Sequence, residues 1–71
     1  MRIIFTNHAR QRMQERGISE SEVVESIQYP ANILRENGGI QHFQKSFTYG
    51  TIEVVVGVKK NHFIVITVYP L

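Results

Sequence analysis

Residues 5–19 read Phe5-Thr6-Asn7-His8-Ala9-Arg10-Gln11-Arg12-Met13-Gln14-Glu15-Arg16-Gly17-Ile18-Ser19. Thr6 is a good N-cap, because its hydroxyl accepts from a first-turn N–H, and Gly17 tolerates the left-handed conformation that closes a helix. The spacing predicts a helix over about 7–16. Only Ala9 and Met13 are apolar in its body, and a helix this short needs tertiary packing to persist. At ~100° per residue, His8, Arg12 and Glu15 share one stripe, with Arg16 at its edge. Arg10, Asn7 and Gln14 point elsewhere. That stripe is expected at the margin of the buried surface, where a histidine and an arginine are chemically useful.

Gly17 also separates two helices. Ser19-Glu20-Ser21-Glu22 is a capping box, with Ile18 and Val23 at the hydrophobic staple positions. The second helix runs over about 20–28, with Val23, Val24 and Ile27 within one arc. Tyr29-Pro30 ends it, since the residue before a proline avoids helical geometry.

On the N-terminal side, Met1 to Phe5 reads as a short edge strand. After Pro30 everything reads as strand: 32–36, then a hairpin turn at Asn37-Gly38-Gly39, then 40–48, 52–58 and 63–69. Phe43, Lys45 and Phe47 fall on one face of their strand, and His42, Gln44 and Ser46 on the other. In the next strand Ile52, Val54, Val56 and Val58 share a face, yet Val55 is apolar on the opposite one. Strict alternation in the last strand sets Phe63, Val65 and Tyr69 against Ile64, Ile66 and Val68. Gly57 inside a strand signals a bulge or a close approach. Two short helices cover one face of such a sheet, so the second face is expected to meet something: a second copy, a partner chain, or the N-terminal segment folding across. The alternative is a pair of central strands covered by the chain's own loops.

The fold class is therefore α+β: a short N-terminal strand, two helices, then an antiparallel meander of about four strands, in a single domain over residues 1–71. A chain of 71 residues has a small core and marginal stability. It has no cysteine, which removes disulfides and thiolate metal sites and fits a reducing cytosol. Only Ile3, Ile4 and Phe5 separate Arg2 from polar sequence, which is not the apolar region of a signal peptide, and no apolar run approaches a membrane span. The expectation is a cytoplasmic protein with no membrane contact. The net charge is +2 and unevenly placed: Arg2, Arg10, Arg12 and Arg16 stand against Glu15, the second helix carries Glu20, Glu22 and Glu25, and the remainder has Arg35, Lys45, Lys59 and Lys60 against Glu36 and Glu53. A basic end of this kind permits nucleic-acid contact without requiring it.

The motif F-T-x-H-A-x-x-R-M-x-x-R-G-I-S at residues 5–19, with the closing Val65-Ile66-Thr67-Val68-Tyr69, resembles the small prokaryotic domain of unknown function family numbered 4258. The order of elements resembles the RelE-like toxins. That resemblance implies an RNA-directed protein, with RNA cleavage that needs no metal, held in check by an antitoxin-like partner. The RelE pattern places basic catalytic residues on the sheet, whereas here only Lys45 is basic within a strand core, so the chemistry falls to the first helix.

Such cleavage needs a base for the 2′-OH, cations for the charged phosphorane and an acid for the leaving oxygen. His8 suits base or acid, and Arg12 suits a bidentate grip on phosphate. Tyr69 completes the candidate catalytic set, with Thr67 and His42 as alternatives for the second proton transfer. Arg10, Arg16 and Lys45 are the candidate RNA-binding cations. Each has a plainer reading. His8 can bond a backbone group, Arg12 can pair with Glu15 or Glu22, Arg16 suits the helix dipole, and Tyr69 can be core with its hydroxyl at the rim. The chain has no aspartate, so a Ser-His-Asp triad and a carboxylate two-metal site both lack parts. No cofactor motif is present, and none is expected. The alternative function is a non-catalytic interaction module, acting as a homodimer or with a partner chain.

Overall fold

A computed structural model describes residues 2–71. The elements run β1 (Arg2–Phe5), α1 (Asn7–Arg16), α2 (Glu20–Gln28), β2 (Asn32–Arg35), β3 (Ile40–Phe47), β4 (Gly50–Val58) and β5 (His62–Pro70). They build one five-stranded sheet in the order β1-β5-β4-β3-β2, with α1 and α2 packed on one face. The strands from β2 to β5 form the antiparallel meander, and β1 lies at the edge beside β5, parallel to it. Met1, the first residue of the expected edge strand, lies outside the described residues.

The helix signals act as the residues dictate. Thr6 Oγ1 accepts from Ala9 N–H at 3.0 Å. Gly17 closes α1 at φ +68°, with Ile18 N–H on Met13 O and Gly17 N–H on Gln14 O. This is a Schellman closure, and its apolar pair, Met13 and Ile18, is buried. The capping box forms in both directions between Ser19 and Glu22. The β2–β3 turn takes positive φ at Gly38 and Gly39, and Glu36 N–H closes it on Ile40 O at 2.9 Å. The next turn is Thr48-Tyr49, with Gly50 already paired to Phe47 in β4.

The core lies between the helices and one sheet face. Val54, Val56, Val65 and Val68 are fully buried there with Val23 and Ala9, and each such valine stabilises by roughly 1.5–3 kcal/mol relative to exposure. Here β5 departs from the alternation read from its sequence. Val55 pairs with Thr67, but Val56 pairs with Val65, so Ile66 is an extra residue in β5. The bulge reverses the phase of the strand beyond it. Val68 turns into the core, and Tyr69 turns to the open face, the reverse of their expected sides. Thr6 secures the bulge, its N–H on Val65 O and its hydroxyl on Ile66 O, both at 3.1 Å. Gly57 is not a close approach: a Cβ there would lie 3.7 Å from Ile66 Cδ1, an ordinary contact.

Candidate functional site

Side chains of residues paired across neighbouring strands share a face. With Phe43, Val54 and Val68 in the core, the open face is set by the registers His42↔Val55, Gln44↔Glu53 and Glu53↔Tyr69. Three adjacent strands therefore bring His42, Gln44, Glu53 and Tyr69 together on the side away from the helices.

Glu53 is the centre of this group and is only 5% exposed. Its Oε1 accepts from Gln44 Nε2 at 2.6 Å. Its Oε2 accepts from His42 Nδ1 at 2.8 Å and from the Tyr69 hydroxyl. The other ring nitrogen, His42 Nε2, meets Glu36 Oε2 from the start of the β2–β3 turn. A protonated ring donates from both nitrogens, one to each carboxylate.

The titration behaviour follows from these bonds. Burial pushes the Glu53 carboxyl up, but the bonds from Tyr69, Gln44 and His42 together outweigh it, so it titrates below its ordinary 4.5. The bond to Glu53, then that to Glu36, raises His42 above 6.5. The same Glu53 oxygen raises the Tyr69 phenol above 10.0. The face thus carries a histidine whose charged form is favoured by a buried carboxylate on one nitrogen and a surface carboxylate on the other. A group of this kind moves protons at Nε2 while Nδ1 fixes the ring.

The residues expected from sequence to act lie mostly elsewhere. His8 is exposed on α1. Arg12 pairs with Glu15 at 2.8 Å, and Arg16 is exposed in the last turn. Arg10 bonds Glu20 at 2.8 Å and lies 4.9 Å over the Phe5 ring, tying α1 to α2 and β1. Lys45 lies on the helix-covered face and donates to Tyr29 O at 2.8 Å, at the C-terminal end of α2 where a cation is favoured. Tyr69 alone of the six stands on the open face. The sheet separates it from His8 and Arg12, so the structure does not assemble those three into one site. His42 was in view only as an alternative, while Glu53, Gln44 and Glu36 were missed. The available signal was Glu53 itself, a charge set between Ile52 and Val54 in an otherwise apolar strand.

Residues 5–70 match the family described as Domain of unknown function (DUF4258). The chain belongs to this family. No curated protein and no solved structure matches it. Within this DUF4258 chain the matched span runs from Phe5, under the Arg10 guanidinium, to Pro70 at the end of β5. It therefore includes every residue of the open-face network. No helix among the described residues of the DUF4258 chain is long and apolar enough to cross a membrane.

Proposed function

We propose that this chain is a RelE-like, toxin-type cytoplasmic protein that acts on RNA by metal-independent cleavage, with the open-face network as its reacting centre. One observation carries the reading: a small domain buries a carboxylate in mid-sheet and uses it to hold a histidine whose outer nitrogen reaches the surface. Burying such a group is costly unless it is fully paired, and perturbed groups of this kind concentrate at working sites. In the proposed step the His42 imidazolium gives its Nε2 proton to the leaving 5′ oxygen. Glu36 takes the proton of the attacking 2′-OH, and that oxygen forms the new bond to phosphorus as the P–O5′ bond breaks. Glu53 positions the ring, and Tyr69 and Gln44 position Glu53. The arginines of α1 lie beyond the sheet and hold RNA outside this centre.

The test is cleavage of a structured RNA mixture in chelator by wild type, His42→Gln and His8→Ala. Wild type and His8→Ala are expected to cleave, and His42→Gln to be inactive while still folded. Loss in His8→Ala with activity kept in His42→Gln would return the chemistry to α1.

A second reading is an interaction module, a homodimer or one half of a complex with an antitoxin-like chain. It is favoured by the apolar end of the same face, where Ile4, 36% exposed, pairs with Ile64 beside Ile66. Silence of all three proteins on RNA would support it.

A further inference from the structure

His42 turns Nε2 toward the exposed Glu36, and that carboxylate sits on it. Glu53 and Glu36 both bond the ring, but they are not equivalent. The Glu53 side chain is 7% exposed and held by three donors. The Glu36 side chain is 56% exposed and projects from a turn. Its backbone is pinned by the bond to Ile40 O, so the side chain alone is free to swing. An ion pair with so exposed a partner is readily exchanged.

We propose that His42 Nε2 is a phosphate-binding position and that the Glu36 carboxylate is its internal occupant. A phosphate oxygen and a carboxylate oxygen accept the same charge-assisted bond from an imidazolium. The groups around the ring decide when the exchange is allowed. Glu53 faces it from β4 and receives the Tyr69 hydroxyl of β5 and the Gln44 amide of β3. Leu34 of β2 and Val55 of β4 are its paired neighbours and carry no charge. With Glu36 in place the network holds one positive and two negative charges and repels an anion. With Glu36 withdrawn, His42 and Glu53 balance and the Nε2 proton is open to phosphate. Ligand and Glu36 are mutually exclusive. Glu36 is thereby a built-in competitor, and once displaced it is the free carboxylate beside the bound phosphate. Assigning that phosphate to an RNA backbone rests on the function proposed above; the binding itself does not.

The experiment follows the His42 ring nitrogens by NMR in the full chain while inorganic phosphate is added on the acidic side of neutrality. It compares wild type, Glu36→Ala and the double variant Glu36→Ala/His42→Gln, with the amide spectrum as the check on folding. Glu36→Ala is expected to bind phosphate roughly tenfold more tightly than wild type, a difference of about 1.4 kcal/mol. The shift should be largest at Nε2, with Nδ1 still bonded to Glu53. The His42 pKa should fall in Glu36→Ala yet stay above its ordinary value, and the double variant should lose binding. Equal binding by wild type and Glu36→Ala, or binding that survives without His42, would overturn the proposal. Acetate binding more tightly than phosphate would assign the position to a partner's carboxylate and overturn it too. Phosphate binding in Glu36→Ala with no RNA cleavage by the wild type would leave this site standing and remove the ribonuclease reading. His42-dependent cleavage with no gain of binding would do the reverse.

Discussion

At the scale of single residues, the open-face network couples folding to pH in a direction that can be worked out. The folded His42 pKa lies above its ordinary 6.5. Its contribution to stability is therefore fully present below that value and is lost as pH rises through the folded pKa. The folded Glu53 pKa lies below its ordinary 4.5, so its contribution is present above 4.5 and is lost as pH falls through the depressed value. Together they place greatest stability between 4.5 and 6.5. Urea midpoints across this range are expected to fall above 6.5 for wild type and to flatten there for His42→Gln; parallel curves for the two would show that the ring does not carry the linkage. The chemistry of these residues was legible singly, as a histidine and a glutamate in strands. Their meeting was not, because it depends on which strands are neighbours and in what register.

At the scale of elements, the turns and the bulge respond differently to a methyl group. Gly39 sits at φ +78°, and a Cβ there would lie 3.3 Å from Val58 O. Gly39→Ala is expected to cost about 1–2 kcal/mol from the left-handed backbone, with the crowding added. Gly57 has an ordinary backbone, and its Cβ would make normal contact with Ile66 Cδ1. Gly57→Ala is expected to be neutral or to stabilise by up to ~1 kcal/mol, by restricting the unfolded chain. Urea unfolding of the two variants checks both, and a large loss at Gly57 would mean that the bulge has no room to spare. Both helices, their caps and the glycine hairpin were legible because capping and positive φ are local properties. The β5 bulge was not. Nothing in Phe63–Tyr69 disturbs the alternation, and the extra residue is accommodated by Thr6, distant in sequence.

At the scale of the whole molecule, the sheet divides its two faces unequally. The helices cover one. The other is apolar toward β1 and β5, at Ile4, Ile64 and Ile66, and polar where β3, β4 and the end of β5 meet. The expectation that the last two strands are apolar on both faces thus holds on this side only toward β1, because Glu53 and Tyr69 stand on it at the other end. Leu34, 53% exposed, stands on the same face at the opposite edge. Partner binding, if it uses this face, belongs at the apolar end, since interface cores favour apolar groups and lose charged ones. Sedimentation velocity is expected to show weak, concentration-dependent self-association that Ile4→Lys abolishes without lowering the melting temperature by more than a few degrees. Association unchanged by that substitution would place the contact elsewhere on the molecule.

By itself the sequence determined the elements, their order, their caps and the composition of the strand faces up to the β5 bulge, because hydrophobic period and turn chemistry act over a few residues. It also pointed to the family through residues 5–19. Only the tertiary structure decided where the chemistry lies. Strand order placed α1, with His8 and Arg12, on one side of the sheet. The bulge at Ile66 turned Tyr69 to the other side, beside Glu53 and His42. Those outcomes rest on hydrogen bonds between residues as far apart as Thr6 and Ile66, and no local pattern in either segment encodes them.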